Sequence, residues 1–389
     1  MSYDVIFSCA DVLDALSKLR EDKAAGADDL SPRLLLQIKD QISYPLFLLF
    51  RKSLDEGVVP EDWKESNVSP IYKKGNRSHA ENYRPVSLTS VICKLFESIM
   101  RDAIVCHLED KLLIGNSQHG FRKGRSCLSN LLSFLDKVTG SLDSGDNVDV
   151  VFLDFAKAFD KVPHKRLILK LESHGVSGKV LHWIKEWLHK RRQRVCISGV
   201  ASSWLEVLSG VPQGSVLGPI LFLIYINDLD NGIKNWILKF ADDTKIFSAV
   251  SSDLDRLRLQ NDLDNLLSWA VEWQMTFNVT KCKVMHLGHN NDAHSYYMDG
   301  KALEAVDQEK DLGIIITKDL KVSQQCVQAY SKASRMLGAI NRTIKHRDRY
   351  ILLNLYKSLV RPHLEYCTSA WRPQSSLRQG QRPFGKSAT

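Results

Sequence analysis

The chain has 389 residues, 44% of them hydrophobic and 25% charged, with a net charge of +8 and a pI near 8.9. That is an ordinary globular composition, long enough for two or three packed units. The longest apolar runs, 46–50 and 220–226, fall far short of the roughly 20 residues needed to span a bilayer, so no membrane segment is expected. The basic balance suits a polyanionic partner without requiring one. Eight scattered cysteines (Cys9, Cys93, Cys106, Cys127, Cys196, Cys282, Cys326 and Cys367) form no C-x-x-C metal knuckle. Each reads as a buried small hydrophobe. With no signal peptide in view, a reducing, intracellular site is expected.

Helical spacing marks 4–20, and a loop follows at Lys23-Ala-Ala-Gly-Ala-Asp-Asp29. Ser31-Pro32 opens a second helix by the cap-then-proline signature. A third runs over 44–56 and stops at Gly57. Val68-Ser-Pro-Ile-Tyr-Lys-Lys-Gly75 reads as a short strand entering a basic turn. Asn82-Tyr-Arg-Pro-Val-Ser-Leu88 reads as extended, because the residue before Pro85 avoids the helical region. A long amphipathic helix is predicted for 89–109, then a glycine-bearing basic loop, Gln118-His-Gly-Phe-Arg-Lys-Gly-Arg-Ser126, then a helix over 128–139. A strand ends at Asp154. Helices follow at 164–173 and 178–190, and paired strands at 194–197 and 204–208. The segment 219–228 is apolar nearly all round, as a buried helix is. Strands 237–240 and 244–247 flank an Asp-Asp turn as a hairpin. A helix covers 253–272, strands lie near 277–287 and 310–317, and a helical pair closes the pattern at 322–345 and 348–361. Helices, strand, helices and then hairpin argue for an α+β fold with an antiparallel sheet backed by helices.

Asp154 ends an apolar strand, and Asp242 and Asp243 sit together in a tight hairpin, with Gly210-Val-Pro-Gln-Gly214 between them in sequence. Taken singly, Asp-Asp is good turn chemistry and a lone Asp after a strand is often a helix cap. Taken together, they supply the hard oxygen ligands with which phosphoryl transfer holds divalent metal. The histidines lack ligand spacing with cysteine or acid. Gly120-Phe-Arg-Lys-Gly124 is not a nucleotide P-loop, because it lacks the terminal Gly-Lys-Ser/Thr.

From about Lys23 to Trp371 the chain resembles the reverse transcriptases of non-LTR retrotransposons, of the jockey-like and chicken-repeat-like lineages. Seven blocks carry the resemblance, in family order. Pro60-Glu-Asp-Trp-Lys64 precedes Pro70-Ile-Tyr-Lys-Lys-Gly75, Asn82-Tyr-Arg-Pro-Val-Ser-Leu88 and Gln118-His-Gly-Phe-Arg122. Then come Phe152-Leu-Asp-Phe-Ala-Lys-Ala-Phe-Asp160, Gly210-Val-Pro-Gln-Gly-Ser-Val-Leu-Gly-Pro219 and Phe240-Ala-Asp-Asp243. The resemblance implies a right-hand polymerase with fingers, a palm built on the antiparallel sheet, and a helical thumb. It implies an RNA-directed DNA polymerase that uses two Mg²⁺ ions, with Mn²⁺ as an alternative, an RNA template, a DNA primer and dNTPs.

By the same resemblance Asp154 and Asp242 carry the metals and Asp243 supports them. Phe159 is a steric gate against a 2′-hydroxyl, set against a reading as core packing, and Asp160 reads as a cap for the next helix. Gln213 touches the incoming nucleotide, and Arg84 with Lys73 or Lys74 grips its triphosphate. Lys281 or Lys283 matches a lysine that protonates leaving pyrophosphate; the sequence does not choose between them. Arg122, Lys123 and Arg125 suit template backbone. The stretches holding Lys190, Arg191, Arg192 and Arg194, and Lys332, Arg335, Arg342, Lys345, Arg347 and Arg349, suit backbone contact or a solvated face.

The expected organisation is a helical extension at 1–60, fingers and palm at 61–298, a thumb-like region at 299–371 and a disordered tail at 372–389. The upstream endonuclease of autonomous members is not recognisable, so a truncated element is expected. The rival reading is a catalytically inactive nucleic-acid-binding remnant.

Overall fold

The computed structural model describes residues 5–346 and 348–372; the greater part of the predicted tail and Arg347 lie outside them. The chain divides into two compact units that it enters and leaves repeatedly. One holds the residues up to Phe121, Phe155–Gly232 and Asn265–Asn278; the other holds Arg122–Asp154, Ile233–Asp264 and the described residues from Val279 onward. Both mix helices with sheet.

In the first unit, the sheet runs in the order Tyr83–Thr89, Glu65–Tyr72, Arg192–Ile197, Val200–Ala201, with Leu205–Glu206 also paired to Arg192–Ile197. Its helices meet on an aromatic core. Phe50 and Phe96 stack at 4.9 Å, and Trp183 meets the Phe96 ring edge-on at 5.0 Å. The helix Gly178–Leu188 places Val180, Trp183, Ile184 and Trp187 on one buried face, the 3.6-residue repeat that its sequence carries. The helix Lys39–Glu56 ends where predicted, with Gly57 at φ 66°.

The second unit is organised by one strand. Asn147–Leu153 is central in the sheet Glu304–Ala305, Lys283–Leu287, Asn147–Leu153, Asp243–Val250, Trp236–Phe240. Strands on both sides and layers above and below explain why Val148, Val150, Val151 and Leu153 form an almost unbroken apolar run. Its register against the hairpin strand runs from Asn147↔Val250 to Leu153↔Thr244. The helix Cys127–Asp143 starts at a Ser126 capping box and covers this sheet with Leu131, Phe134 and Val138. Phe134 meets Phe247 edge-on at 5.1 Å. Each such side chain contributes about 1.5–3 kcal/mol by leaving water. The short hairpin Gln308–Asp311 and Ile314–Thr317 adds Ile314 and Ile316 to the same core.

Asp149 and Lys245 are among the charged groups buried in that unit, and both have partners far off in sequence. Asp149, fully buried, accepts hydrogen bonds from His286 Nδ1 (2.7 Å), Asn291 Nδ2 (2.8 Å) and the Tyr296 hydroxyl (2.6 Å). Lys245 forms an ion pair with Asp311 and lies 4.8 Å from the Phe134 ring centroid. The cysteines depart from expectation. Only Cys93 and Cys282 are buried; Cys106 lies on the open face of its helix and is exposed. Among the described residues no helix is long and apolar enough to cross a membrane.

Removing one partner of a buried ion pair strands the other charge and costs about 3–5 kcal/mol. Lys245→Met should therefore lower unfolding stability by about that amount in a urea titration. Lys245→Met combined with Asp311→Leu should recover most of the loss; a double variant no better than the single one would contradict the pairing.

Candidate active site

The second unit brings the three predicted carboxylates to one end of its sheet. Leu153 and Thr244 are the last paired residues of the two central strands, so Asp154 and Asp243 stand one step further on facing chains. The hairpin closes with Phe240 opposite Asp243, leaving Ala241 and Asp242 as its two-residue turn. Ala241 sits at φ 53°, a left-handed conformation that costs a non-glycine residue of order 1 kcal/mol or more and that fixes where Asp242 begins.

Electrostatics report the crowding. Asp243 is open to solvent on one side, yet protein atoms pack around its carboxyl. That desolvation, then the charges of Asp242, Asp311 and Asp154, push it up to about 6, against a smaller opposing pull from Lys245. Asp154 is turned toward Lys281, whose Nζ lies 3.0 Å from Asp154 Oδ2. Lys283 is engaged elsewhere, with Glu304 and with the Thr280 carbonyl at 3.2 Å. The alternative left open by the sequence is thus narrowed: of the two lysines, Lys281 is the one at the carboxylates.

Among the described residues no group of three or more His, Cys, Asp or Glu side chains is drawn to a common point as a ready metal cage. The donor set nonetheless fits a hard divalent cation: the carboxylates of Asp242 and Asp154 raise the proton affinity of Asp243, and crowded carboxylate oxygens are the ligands such an ion stabilises.

In the first unit, the predicted nucleotide residues gather around Gly210-Val-Pro-Gln-Gly214. Gly210 and Gly214 take φ 89° and 123°. A Cβ on Gly210 would lie 2.6 Å from the Asp160 carbonyl, and one on Gly214 would press into the Ser87 carbonyl. Ser87 N donates to Gln213 O at 2.7 Å, tying this loop to the Arg84 strand. Gln213 Nε2 donates to Asp160 Oδ1 at 3.1 Å. Asp160 therefore corrects the sequence reading. It lies inside the short helix Ala158–Lys161 and orients Gln213 instead of capping a helix. Burial raises its carboxyl, and Lys157 and Lys73 oppose that. The half-buried Phe159 ring stacks on Phe222 at 4.4 Å, so packing and gating are not exclusive for it. Lys73, Lys74 and Arg84 are exposed at the end of the paired strands Glu65–Tyr72 and Tyr83–Thr89, and among the described residues none of them is within ion-pair distance of a carboxylate.

Sequence reasoning missed Glu97. Fully buried on the helix Val91–Asp110, it accepts from Val216 N (2.6 Å), Leu217 N (3.2 Å) and Trp187 Nε1 (3.1 Å). It thus anchors the segment that follows Gln213. An acidic residue inside an apolar helical stripe was the available signal.

The basic stretches divide. Arg191 is only 1% exposed, donates to the Trp187 carbonyl at 3.0 Å and lies against that indole. It does not reach the surface as expected of a backbone contact, because the two tryptophans beside it belong to the core. Arg192 pairs with Glu65, and Arg194 donates to Asn67 at 2.8 Å over the Trp204 ring. Lys190 is exposed. Lys123 is exposed, while Arg122 and Arg125 are half-buried ahead of the helix Cys127–Asp143. Arg335 and Arg342 are exposed on the helix Ser323–Thr343.

The family model described as reverse transcriptase (RNA-dependent DNA polymerase) matches residues 71–347, well over half of the chain, and the chain belongs to that family. It is 27% identical over 370 residues to the RNA-directed DNA polymerase from mobile element jockey of Drosophila melanogaster, covering 92% of this chain and 40% of that protein. The jockey polymerase of Drosophila funebris is 28% identical, with 93% and 41% covered. The probable RNA-directed DNA polymerase from transposon X-element of Drosophila melanogaster is 26% identical, with 94% and 41% covered. The chain thus spans about two-fifths of the length of these relatives.

The raised Asp243 carboxyl gives a pH signature. Its folded value of about 6 stands above its ordinary 3.8, so the folded state holds this proton more tightly than the unfolded chain. The stabilisation is complete below about pH 4 and is lost as pH rises through about 6. In a chelator, the thermal midpoint of the wild type should fall across that window more than that of Asp243→Asn. Adding Mg²⁺ at pH 7 should raise the wild-type midpoint. Parallel profiles for the two proteins would contradict the crowded carboxylate.

Proposed function

We propose that this chain is an RNA-directed DNA polymerase that joins a deoxynucleotide to a primer 3′-hydroxyl on an RNA template. The observation that carries the reading is the placement of Asp154 beside Asp243 and the turn residue Asp242, with the charges of Asp154 and Asp242 acting on Asp243, in a chain of the reverse transcriptase family. Asp154 and Asp242 would hold two divalent ions, with Asp243 in support. Bound there, the ions would supply charge neutralisation of the triphosphate and a more acidic primer hydroxyl. The protein's own part is mostly position and charge.

Arg84, with Lys73 and Lys74, grips the triphosphate. Phe159 bars a 2′-hydroxyl, and Gln213, held by Asp160, sits against the new pair. Lys281 is the proton donor to departing pyrophosphate, favoured over Lys283 by its place on Asp154. The five-stranded sheet of the second unit is assigned to a palm, the Lys73–Arg84 region to fingers, and the helix Ser323–Thr343 with the helices C-terminal to it to a thumb.

Primer extension on an RNA template with dNTPs and Mg²⁺ tests the reading. Asp242→Asn should lower extension by on the order of a thousandfold while salt-sensitive RNA binding persists. Phe159→Ala should admit ribonucleotides that the wild type rejects. Wild-type protein that binds template–primer and never extends it would replace this reading with that of a binding remnant.

A further inference from the structure

One stretch of the first unit is tied to Phe159 at both its ends. Val211 N donates to the Phe159 carbonyl at 2.8 Å, and the Phe222 ring stacks on the Phe159 ring at 4.4 Å. Between these ties run Gln213 and the start of the helix Gly218–Tyr225, which is buried on almost every side. Such a helix has no water to satisfy the amides of its first turn. Here the amides at its entry are met from outside the helix. Val216 N and Leu217 N donate to Glu97 Oε2 at 2.6 and 3.2 Å, Gly218 N donates to Ser215 Oγ at 3.0 Å, and Pro219 has no N–H to satisfy. Ser215 Oγ donates in turn to the Pro212 carbonyl at 2.9 Å, beside Gln213. The other Glu97 oxygen accepts from Trp187 Nε1 at 3.1 Å and from Cys93 Sγ at 3.3 Å. Burial, then the Glu97 charge, push the Cys93 thiol up, so it stays a donor. All of these partners of Glu97 are donors, the surroundings of a carboxylate.

We propose that Glu97 is a positioning residue for nucleotide selection: by capping the helix Gly218–Tyr225 it holds the Phe159 ring and Gln213 where the sugar and base of a deoxynucleotide would meet them, a role that rests on the polymerase reading. Asp160 fixes the Gln213 side chain, and the Phe159 carbonyl fixes the near end of the loop. Glu97 alone pins the Val216 and Leu217 amides at the far end. Without its charge those buried amides must move to find another acceptor or go unpaired. Phe222 is on the same short helix, so the movement reaches the ring that backs Phe159. A gate that discriminates by the room for one oxygen atom is sensitive to small displacements, and a shift of about 1 Å in a positioning group can cost about a hundredfold. Fully buried, Glu97 acts through these neighbours and not on the nucleotide itself.

The test is single-nucleotide incorporation by the full chain on an RNA template and DNA primer with Mg²⁺, each deoxynucleotide compared with its ribonucleotide. Glu97→Gln keeps the shape but sets an NH₂ group against donors. It should raise the deoxynucleotide KM about tenfold, change kcat less than about threefold, and lower the preference for deoxy- over ribonucleotide about tenfold. Adding Trp187→Phe, which removes one opposing donor, should return most of both losses. Template–primer affinity, read by anisotropy, should be the same in all three proteins. A merely structural role predicts a different pattern: fewer active molecules, hence a lower kcat with KM and sugar preference intact. That pattern in Glu97→Gln, or constants equal to wild type, would overturn the proposal. Should Glu97→Gln not fold, Glu97→Asp, which keeps the charge one methylene short of the amides, decides between the same two patterns. Wild-type protein that extends no primer sinks the polymerase reading and this role with it. Wild-type protein that extends, beside variants with KM and preference intact, sinks this role alone.

Discussion

The antiparallel pairing of Asn147–Leu153 with Asp243–Val250 is the constraint on which the carboxylate end depends. A strand's side chains alternate, so a slip of one residue would turn Val148 and Val150 out of the core and carry Asp154 away from Asp243. The apolar run and the covering helix make such a slip expensive. Burial of hydrocarbon at one end of the strand thereby dictates where charge is placed at the other.

Placing like charges together has to be offset, and the unit does so within its own walls. Lys245 is two residues from Asp243, on the same side of its strand, and is held by Asp311. Lys281 approaches Asp154 from a separate segment. Two ammonium groups therefore stand among four carboxylates, and the remaining negative charge is what would draw a divalent ion to the sheet's end. In the first unit, buried Glu97 is held by two backbone amides and an indole, with the Arg191 guanidinium acting on it as well.

Much of this was legible in the sequence. Alternation around Phe240-Ala-Asp-Asp243 marks the hairpin, the apolar run before Asp154 marks a strand, and Gly57 marks a helix end. What stayed hidden was long-range or conformational. Glu65 pairs in parallel with Arg192, and a local pattern has no means of naming so distant a neighbour. Lys245 and Asp311 look like two surface charges until the sheet and the later hairpin are folded together. The left-handed Ala241 was unreadable because glycine and asparagine, the usual markers of such a turn, are absent there. Arg191 was misjudged because a run of basic residues resembles a solvated face, and the neighbouring tryptophans show which way the chain turns only once they are seen packed.

The threading of the chain bears on how it is made. The central strand of the second unit leaves the ribosome about a hundred residues before the strand it pairs with, and its other neighbour emerges later still. Most of the first unit's remaining sequence is translated in that interval. Val148, Val150 and Val151 must therefore wait, unpaired and oily, while other parts of the molecule take shape around them. Such delayed closure slows folding and leaves sticky edges open to neighbours. A growing polypeptide of this kind is a natural customer for chaperones that shield nascent strands.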